Sequence, residues 1–322
     1  MKMAASEGKH MAGGTDTPGP LAFIFLSGWI QDRDTIRVTA QVDAIAEAGS
    51  TASRRLKWQR SGSKWSSFKL PFRLVRIVTT VEADGPHLYA VSPQGSVSAG
   101  DAKGGWEELI DPSDEGPRLR GPIRDLRVIG GEVYCTGMGR QVYQRTGRNS
   151  WQHIDAGIVQ PLGVIGGVSG FNSIDGVDAG LLIAAGFNGE IRCRRDSGWT
   201  QMASPTNVVL HWVRVLGPAR AFCSGQKGVL LEWDGNLWKV VDLGDLDENI
   251  WCIEWFNDHL YLATDSRLLR LTPGYKLEEV KGLPDKNSVS RELHAHDGLL
   301  LSTGPGHVWL TQDGSQWDDI TP

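Results

Sequence analysis

The stretch GVLLEWDGNLWKVV, Gly228 to Val241, reads as a short apolar strand, a turn at Asp234-Gly235, and a second strand that opens on Trp238. The same order of parts recurs in GSVSAGDAKGGWEELI from Gly95, RQVYQRTGRNSWQHI from Arg140, GEIRCRRDSGWTQM from Gly189 and GHVWLTQDGSQWDDI from Gly306. Two weaker copies begin at Arg54 (RRLKWQRSGSKWSSFKL) and Ser266 (SRLLRLTPGYKLEEV). Aligned on one aromatic each, the copies give Trp65, Trp106, Trp151, Trp199, Trp238, Tyr275 and Trp317, spaced 37 to 48 residues apart. A four-stranded propeller blade occupies roughly 40–45 residues. Seven such units consume the chain from Leu21 to Pro322. The expected fold is therefore all-β: one seven-bladed β-propeller of four-stranded antiparallel blades over residues 21–322, preceded by a flexible tail over 1–20. The irregular stretch from Val42 to Ser53 reads as a long loop inside the first blade.

Composition suits a ring of this kind. Gly 40 supplies turns, and Trp 13 requires packed surfaces to cover its rings. Lys+Arg 33 against Asp+Glu 38 gives a net charge of -5, which argues against a general nucleic-acid binder, because phosphate attraction needs a basic surface. The apolar run from Leu21 to Ile30 is broken by Ser27 and Gly28, and falls well short of the roughly 20 residues of a membrane helix. It reads as a buried strand. Residues 1–20 are small, polar and charged where an export signal would be continuously apolar. Cys135, Cys193, Cys223 and Cys252 lie far apart with no CxxC spacing, so neither a zinc knuckle nor a disulfide scaffold is suggested. A reducing cytoplasm is the expected location.

The turn Thr311-Gln-Asp-Gly-Ser-Gln-Trp317, and fragments of it in Arg195-Asp-Ser-Gly-Trp199, resemble the Ser-x-Asp-x-Gly-x-Thr-Trp turn of the Asp-box, or BNR-like, β-propeller superfamily. That superfamily includes sialidases, protein-assembly factors and receptor ectodomains, so the resemblance implies a fold and not an activity. The sialidase Phe-Arg-Ile/Leu-Pro signature is approached only by Phe72-Arg73-Leu74-Val75, without its proline. Tyr89, Tyr134, Tyr143 and Tyr261 sit inside strand-like runs and read as core aromatics. His294-Ala-His296-Asp297 could place two imidazoles on one strand face, but also reads as a turn with one solvated histidine. No GxxxxGK loop, G-x-S-x-G elbow or HExxH pair occurs. Neither an enzyme, a cofactor nor a metal site is expected.

In a propeller the first strand of each blade lines the central channel. Arg76, Arg127, Arg214 and Glu254 fall between apolar neighbours on such strands, with His294 in the last blade. A mostly cationic channel is expected, able to take a glycan or small anionic ligand, with a hydrolase or lyase as its catalytic form; a hydrated, charge-balanced wall is the competing reading. Charge also varies around the ring. Ala48 to Val81 holds eight cations and no acid, which makes the first blade basic. Val240 to Ser266 holds no Lys or Arg while Asp242, Asp245, Asp247, Glu248, Glu254, Asp258 and Asp265 accumulate; this run is assigned to the fifth blade, three steps from the first. Trp212, Trp251 and Trp255 are extra to the anchor set and fall on the first strands of blades four and five, beside His211. Tryptophan beside a charged rim suits an interface.

The first expectation is thus a non-enzymatic, cytosolic neutralising (immunity-type) or adaptor propeller, monomeric when free. It would engage a basic partner protein through His211, Trp212, Asp242, Asp245, Asp247, Glu248, Trp251 and Glu254. The second places an anionic ligand in the channel on Arg76, Arg127, Arg214 and His294.

Overall fold

A computed structural model describes residues 23–42, 52–163, 169–196 and 198–322. The expected tail over 1–20 and most of the expected Val42–Ser53 loop lie outside the described residues. Among the described residues, twenty-eight strands form seven four-stranded antiparallel sheets, each built from consecutive strands. The innermost strands, in chain order, are Phe23–Ile30, Arg76–Glu82, Ile123–Ile129, Phe171–Asp178, Leu210–Gly217, Ile250–Phe256 and Glu292–His296. The outermost are Lys64–Leu70, Gly104–Leu109, Ser150–His153, Gly198–Gln201, Trp238–Val240, Leu277–Glu279 and Trp317–Asp319. This is the seven-bladed propeller read from the repeats.

Alternation along the strands gives the blades apolar faces, and at most seams the faces of neighbouring blades close on each other. Between blades four and five, Ile183, Ile191 and Cys193 meet Val213, Leu231 and Trp233. Between seven and one, Leu301, Val308 and Leu310 meet Ile36, Val38 and Trp58. The four cysteines are free and buried, and the four strand tyrosines lie in the core. Anchor tryptophans lean back onto the preceding blade. Trp199 Nε1 donates to the Ile154 carbonyl (2.6 Å), Trp151 Nε1 to Glu108 (3.0 Å) and, across the closing seam, Trp65 Nε1 to the Ile320 carbonyl (2.7 Å). In the Thr311–Trp317 turn, Asp313 accepts from the backbone N–H groups of Ser315 and Gln316 (both 2.8 Å), while Gly314 takes a positive φ of 75° that an L side chain would strain.

Two sequence expectations need correction. Tyr275 is not an anchor: it lies in the turn before the fourth strand at φ 61°, 45% exposed, and Leu277 occupies the tryptophan slot opposite Leu271. The blade count was also one short for the acidic sector. Each anchor ends its blade, so Trp212 belongs to the fifth blade and Trp251 and Trp255 to the sixth. The acidic run therefore starts in the loop between blades five and six, two steps from the basic first blade.

Candidate functional site: the channel and its mouth

An innermost strand is a sheet edge, so alternate N–H groups lack a ladder partner within their own blade. Side chains of the preceding blade supply acceptors. Asp125 accepts from Ile174 N (3.0 Å), Asp175 from Val215 N (2.7 Å), Ser173 from Val213 N (3.2 Å) and His294 Nδ1 from Ile30 N (3.0 Å). The carboxylates in turn hold the arginines. Arg76 meets Asp125 at 2.8 Å and Glu292 at 2.7 Å; Arg127 approaches Asp125 at 3.4 Å; Arg214 spans Asp175 at 3.2 Å and Glu254 at 2.8 Å.

The channel is therefore not mostly cationic. Arg76, Arg127 and Arg214 are matched by Asp125, Asp175, Glu254 and Glu292. Burial works to lower the Arg214 pKa, but Glu254 and Asp175 outweigh it and hold the value above the ordinary one. Burial raises the Glu254 carboxyl against the pull of Arg214 and Arg127. His294 is pushed well below its ordinary range by burial and then by Arg214 and Arg127, which keeps its Nδ1 free to accept from Ile30. It stacks on Trp29 at 3.8 Å, a structural use rather than a metal site. Trp212 is only 3% exposed. Its ring lies 4.5 Å from the Arg76 guanidinium and 4.2 Å from that of Arg127, so side chains of blades two, three and five meet across the axis.

Above this floor opens a cavity of about 950 Å³ on the face where the innermost strands begin. A repeated backbone irregularity builds it. In five innermost strands the register skips one residue: Leu26, Arg124, Asn172, His211 and Trp251 have no partner on the second strand. A β-bulge re-aims the side chain of its extra residue. All five line the cavity, as do Val75 and Arg291, the corresponding residues of blades two and seven. Each blade thus contributes one side chain to the mouth.

Chemically the mouth is basic and aromatic. His211 stacks on Trp251 at 4.4 Å, and the Arg291 guanidinium lies 4.9 Å from the same indole. Trp251 Nε1 donates to Asp265 at 2.7 Å, and Arg124 donates to Asn172 at 3.1 Å. Burial, then the nearby Arg124 charge, lowers His211 to about 4, so the ring is neutral near pH 7. Phe72 and Arg73 complete one wall.

The acidic loop runs along the same face from the rim at Val240 to the mouth at Trp251. Asp242, Asp245 and Asp247 are exposed, while Leu243 and Leu246 anchor the loop on the core. Glu248 is turned inward: it accepts from Thr264 (2.7 Å), from Ser266 N (3.0 Å) and from Arg267 Nε (2.8 Å). Burial opposes its ionisation, but these bonds prevail and lower it to about 2. Of the residues expected to face a partner, Trp212 and Glu254 are buried in the channel and Glu248 is committed to the turn between the second and third strands of blade six. His211, Trp251, Asp242, Asp245 and Asp247 remain on the loop face. Among the described residues, only Glu82, Asp84 and His87 cluster as metal-ligating groups, and Tyr89, Lys103 and Arg145 already engage those carboxylates.

The fold is that of a seven-bladed β-propeller, and WD40-type rings are among its structural neighbours. The chain superposes on the WD40 β-propeller domain of Doa1 with TM-score 0.66 at 10% identity, covering 92% of this chain and 95% of that one. It superposes on YCF48 from Cyanidioschyzon merolae with TM-score 0.65 at 13% identity, covering 91% and 96%. A structure of YCF48 bound to D1 peptide aligns over 79% of this chain and 94% of that one, with TM-score 0.54 and 16% identity. No family model matches. In sequence, the chain is similar to the immune protein Tsi7 of Pseudomonas aeruginosa, 29% identical over 303 residues that span 92% of this chain and 97% of that protein.

Proposed function

We propose that this chain is a non-catalytic, immunity-type propeller of the cytoplasm, monomeric when free, that neutralises another protein by seating it on the loop face. The likeness to Tsi7 over nearly the whole of both chains supports an immunity role. The observation that carries the reading here is the mouth: each blade aims one side chain into an open bowl whose floor is closed by Trp212 and paired charges. Such a bowl suits a projecting element of a partner, with Trp251 as the aromatic anchor. The ridge of Asp242, Asp245 and Asp247 suits a basic surface around that projection, and Arg73, Arg124 and Arg291 suit an acidic tip. A glycan or anion in the channel is disfavoured, since Arg76, Arg127, Arg214 and His294 would each have to leave an existing partner.

The test is affinity capture from the source cell's lysate at two salt concentrations, comparing wild type with Trp251→Ala/Arg124→Glu and with Asp245→Lys/Asp247→Lys. One stoichiometric protein, lost in both variants and weakened by salt, is the expected result. A partner retained equally by both variants refutes the assignment of this face.

A further inference from the structure

One seam of the ring departs from the others. Toward blade seven, the first blade presents Ile36, Val38, Leu56, Trp58 and Trp65. Its opposite face, toward blade two, carries Arg37 opposite Lys57 and Lys57 opposite Ser66 in one cross-strand row, with Arg55 opposite Phe68 in the next. Blade two answers with Ser98, Gly100 and Gly105 rather than with side chains that could fill the space. A groove of about 780 Å³ remains between the two blades. Apolar packing at this seam gathers where Leu70 and Leu74 meet Ile77, Leu88 and Ala90, with Trp29 and Phe72 against them.

The three cations are half-buried, and among the described residues none of them makes an ion pair. Arg37 donates through Nε and Nη2 to the neutral Gln31 amide oxygen, at 3.0 and 2.8 Å. Arg55 lies with its guanidinium 4.8 Å from the Phe68 ring, and its Nε is buried without an acceptor. Two acids border the groove on blade two. Asp101 is occupied by the N–H groups of Lys103 (2.7 Å) and Gly104 (2.9 Å), and Glu107 is exposed on the outer strand. Burial lowers the pKa of both arginines; for Arg55 the neighbouring Arg37 charge adds to this, while Asp32 partly offsets it for Arg37. Cation density that makes no ion pair, facing glycine backbone across an open groove, is the complement of a bound oxyanion.

We propose that the groove between blades one and two binds a small ligand bearing clustered phosphate or carboxylate groups, held by Arg37, Arg55 and Lys57. Opposed residues on neighbouring strands lie about 5 Å apart and successive same-face residues about 7 Å apart. The three charges therefore cover a patch the size of a diphosphate or a tricarboxylate. Ser66 and Ser98 add hydroxyl donors, and Phe68 a flat apolar wall. Gln31 and the Asp101–Gly104 turn place the opening on the side of the ring away from the mouth, so the site is independent of partner seating.

The test is thermal unfolding of the full chain at fixed ionic strength with pyrophosphate, citrate or chloride, followed by calorimetric titration. Pyrophosphate or citrate should raise Tm saturably, by about 4 °C at 100-fold excess over Kd, with chloride inert; the responding probe identifies phosphate or carboxylate chemistry. Arg55→Met and Lys57→Met should each weaken Kd at least about tenfold, and Arg55→Met without anion should melt no lower than wild type, because it removes an unpaired cation. Trp251→Ala should leave the response intact, which separates this site from the loop face. No saturable shift with either probe, or an equal shift in both Met variants, overturns the proposal.

Discussion

Replacing Arg214 by Met should damage the protein far more than replacing Glu254 by Gln, although the two residues form one ion pair. The reason is the charge inventory of the channel, where four carboxylates face three guanidiniums. Glu254 is fully buried, and Arg214 Nε at 2.8 Å is its ion-pair partner; Arg214 also reaches Asp175 at 3.2 Å and has a side chain 28% exposed. Arg214→Met strands Glu254, and breaking a buried pair in this direction costs about 3–5 kcal/mol. Glu254→Gln leaves Arg214 with Asp175 and some water, for a cost of about 1–2 kcal/mol. In a chain of this size the difference is worth roughly 3–6 °C in Tm. Burial already raises the Glu254 carboxyl in the intact ring, and loss of Arg214 should raise it further. A carboxyl whose folded pKa lies above its unfolded one favours the fold when protonated, and that contribution fades as pH rises through the folded value. The Arg214→Met deficit should therefore shrink between pH 7.5 and pH 5. Urea unfolding followed by circular dichroism at both pH values reads both effects. Equal losses in the two variants, or a deficit that grows as pH falls, would show that the channel charges are not coupled as described.

Two other perturbations follow from the blades. Trp238 is 6% exposed and packs on Trp233, so Trp238→Ala should cost about 3–5 kcal/mol by chemical denaturation, while Tyr275→Ala, at 45% exposure, should cost under about 1 kcal/mol; equal costs would restore Tyr275 as an anchor. His153 is raised above its ordinary value by its bond to Asp155, against burial and with help from Asp111. Its contribution is fully present below the unfolded histidine pKa and disappears as pH rises through the folded one. His153→Gln should accordingly cost under about 1 kcal/mol at pH 5.5 and nothing measurable at pH 9.

The ring was legible because its signal is local: a turn, then a tryptophan, recurring about once per blade length. Tyr275 misled because the slot itself holds Leu277: the turn from Thr272 to Lys276 is as long as the one before Trp317 in blade seven, but its aromatic lies inside the turn instead of on the strand. The channel arginines were equally legible, as lone polar residues in apolar strands. Their partners were not. Asp125, Asp175 and Glu292 meet arginines of other blades, and that proximity exists only once the ring is closed. The mouth was half visible. His211 and Trp251 stood out by type, but Leu26, Arg124 and Asn172 join them through a bulge that a period of two does not anticipate. Trp212, one residue beyond that bulge, points into the channel instead of outward.

The closing seam has a mechanical consequence. Blade one and blade seven are each complete four-stranded sheets, and the contacts that join them are side-chain packing and isolated bonds such as Phe25 N to the Pro305 carbonyl and Trp65 to the Ile320 carbonyl. Among the described residues no strand is shared across the junction, so a transient gap there would separate two intact blades without unzipping either. Pulled apart under load, this molecule should first spread like a split washer, and only later ravel blade by blade.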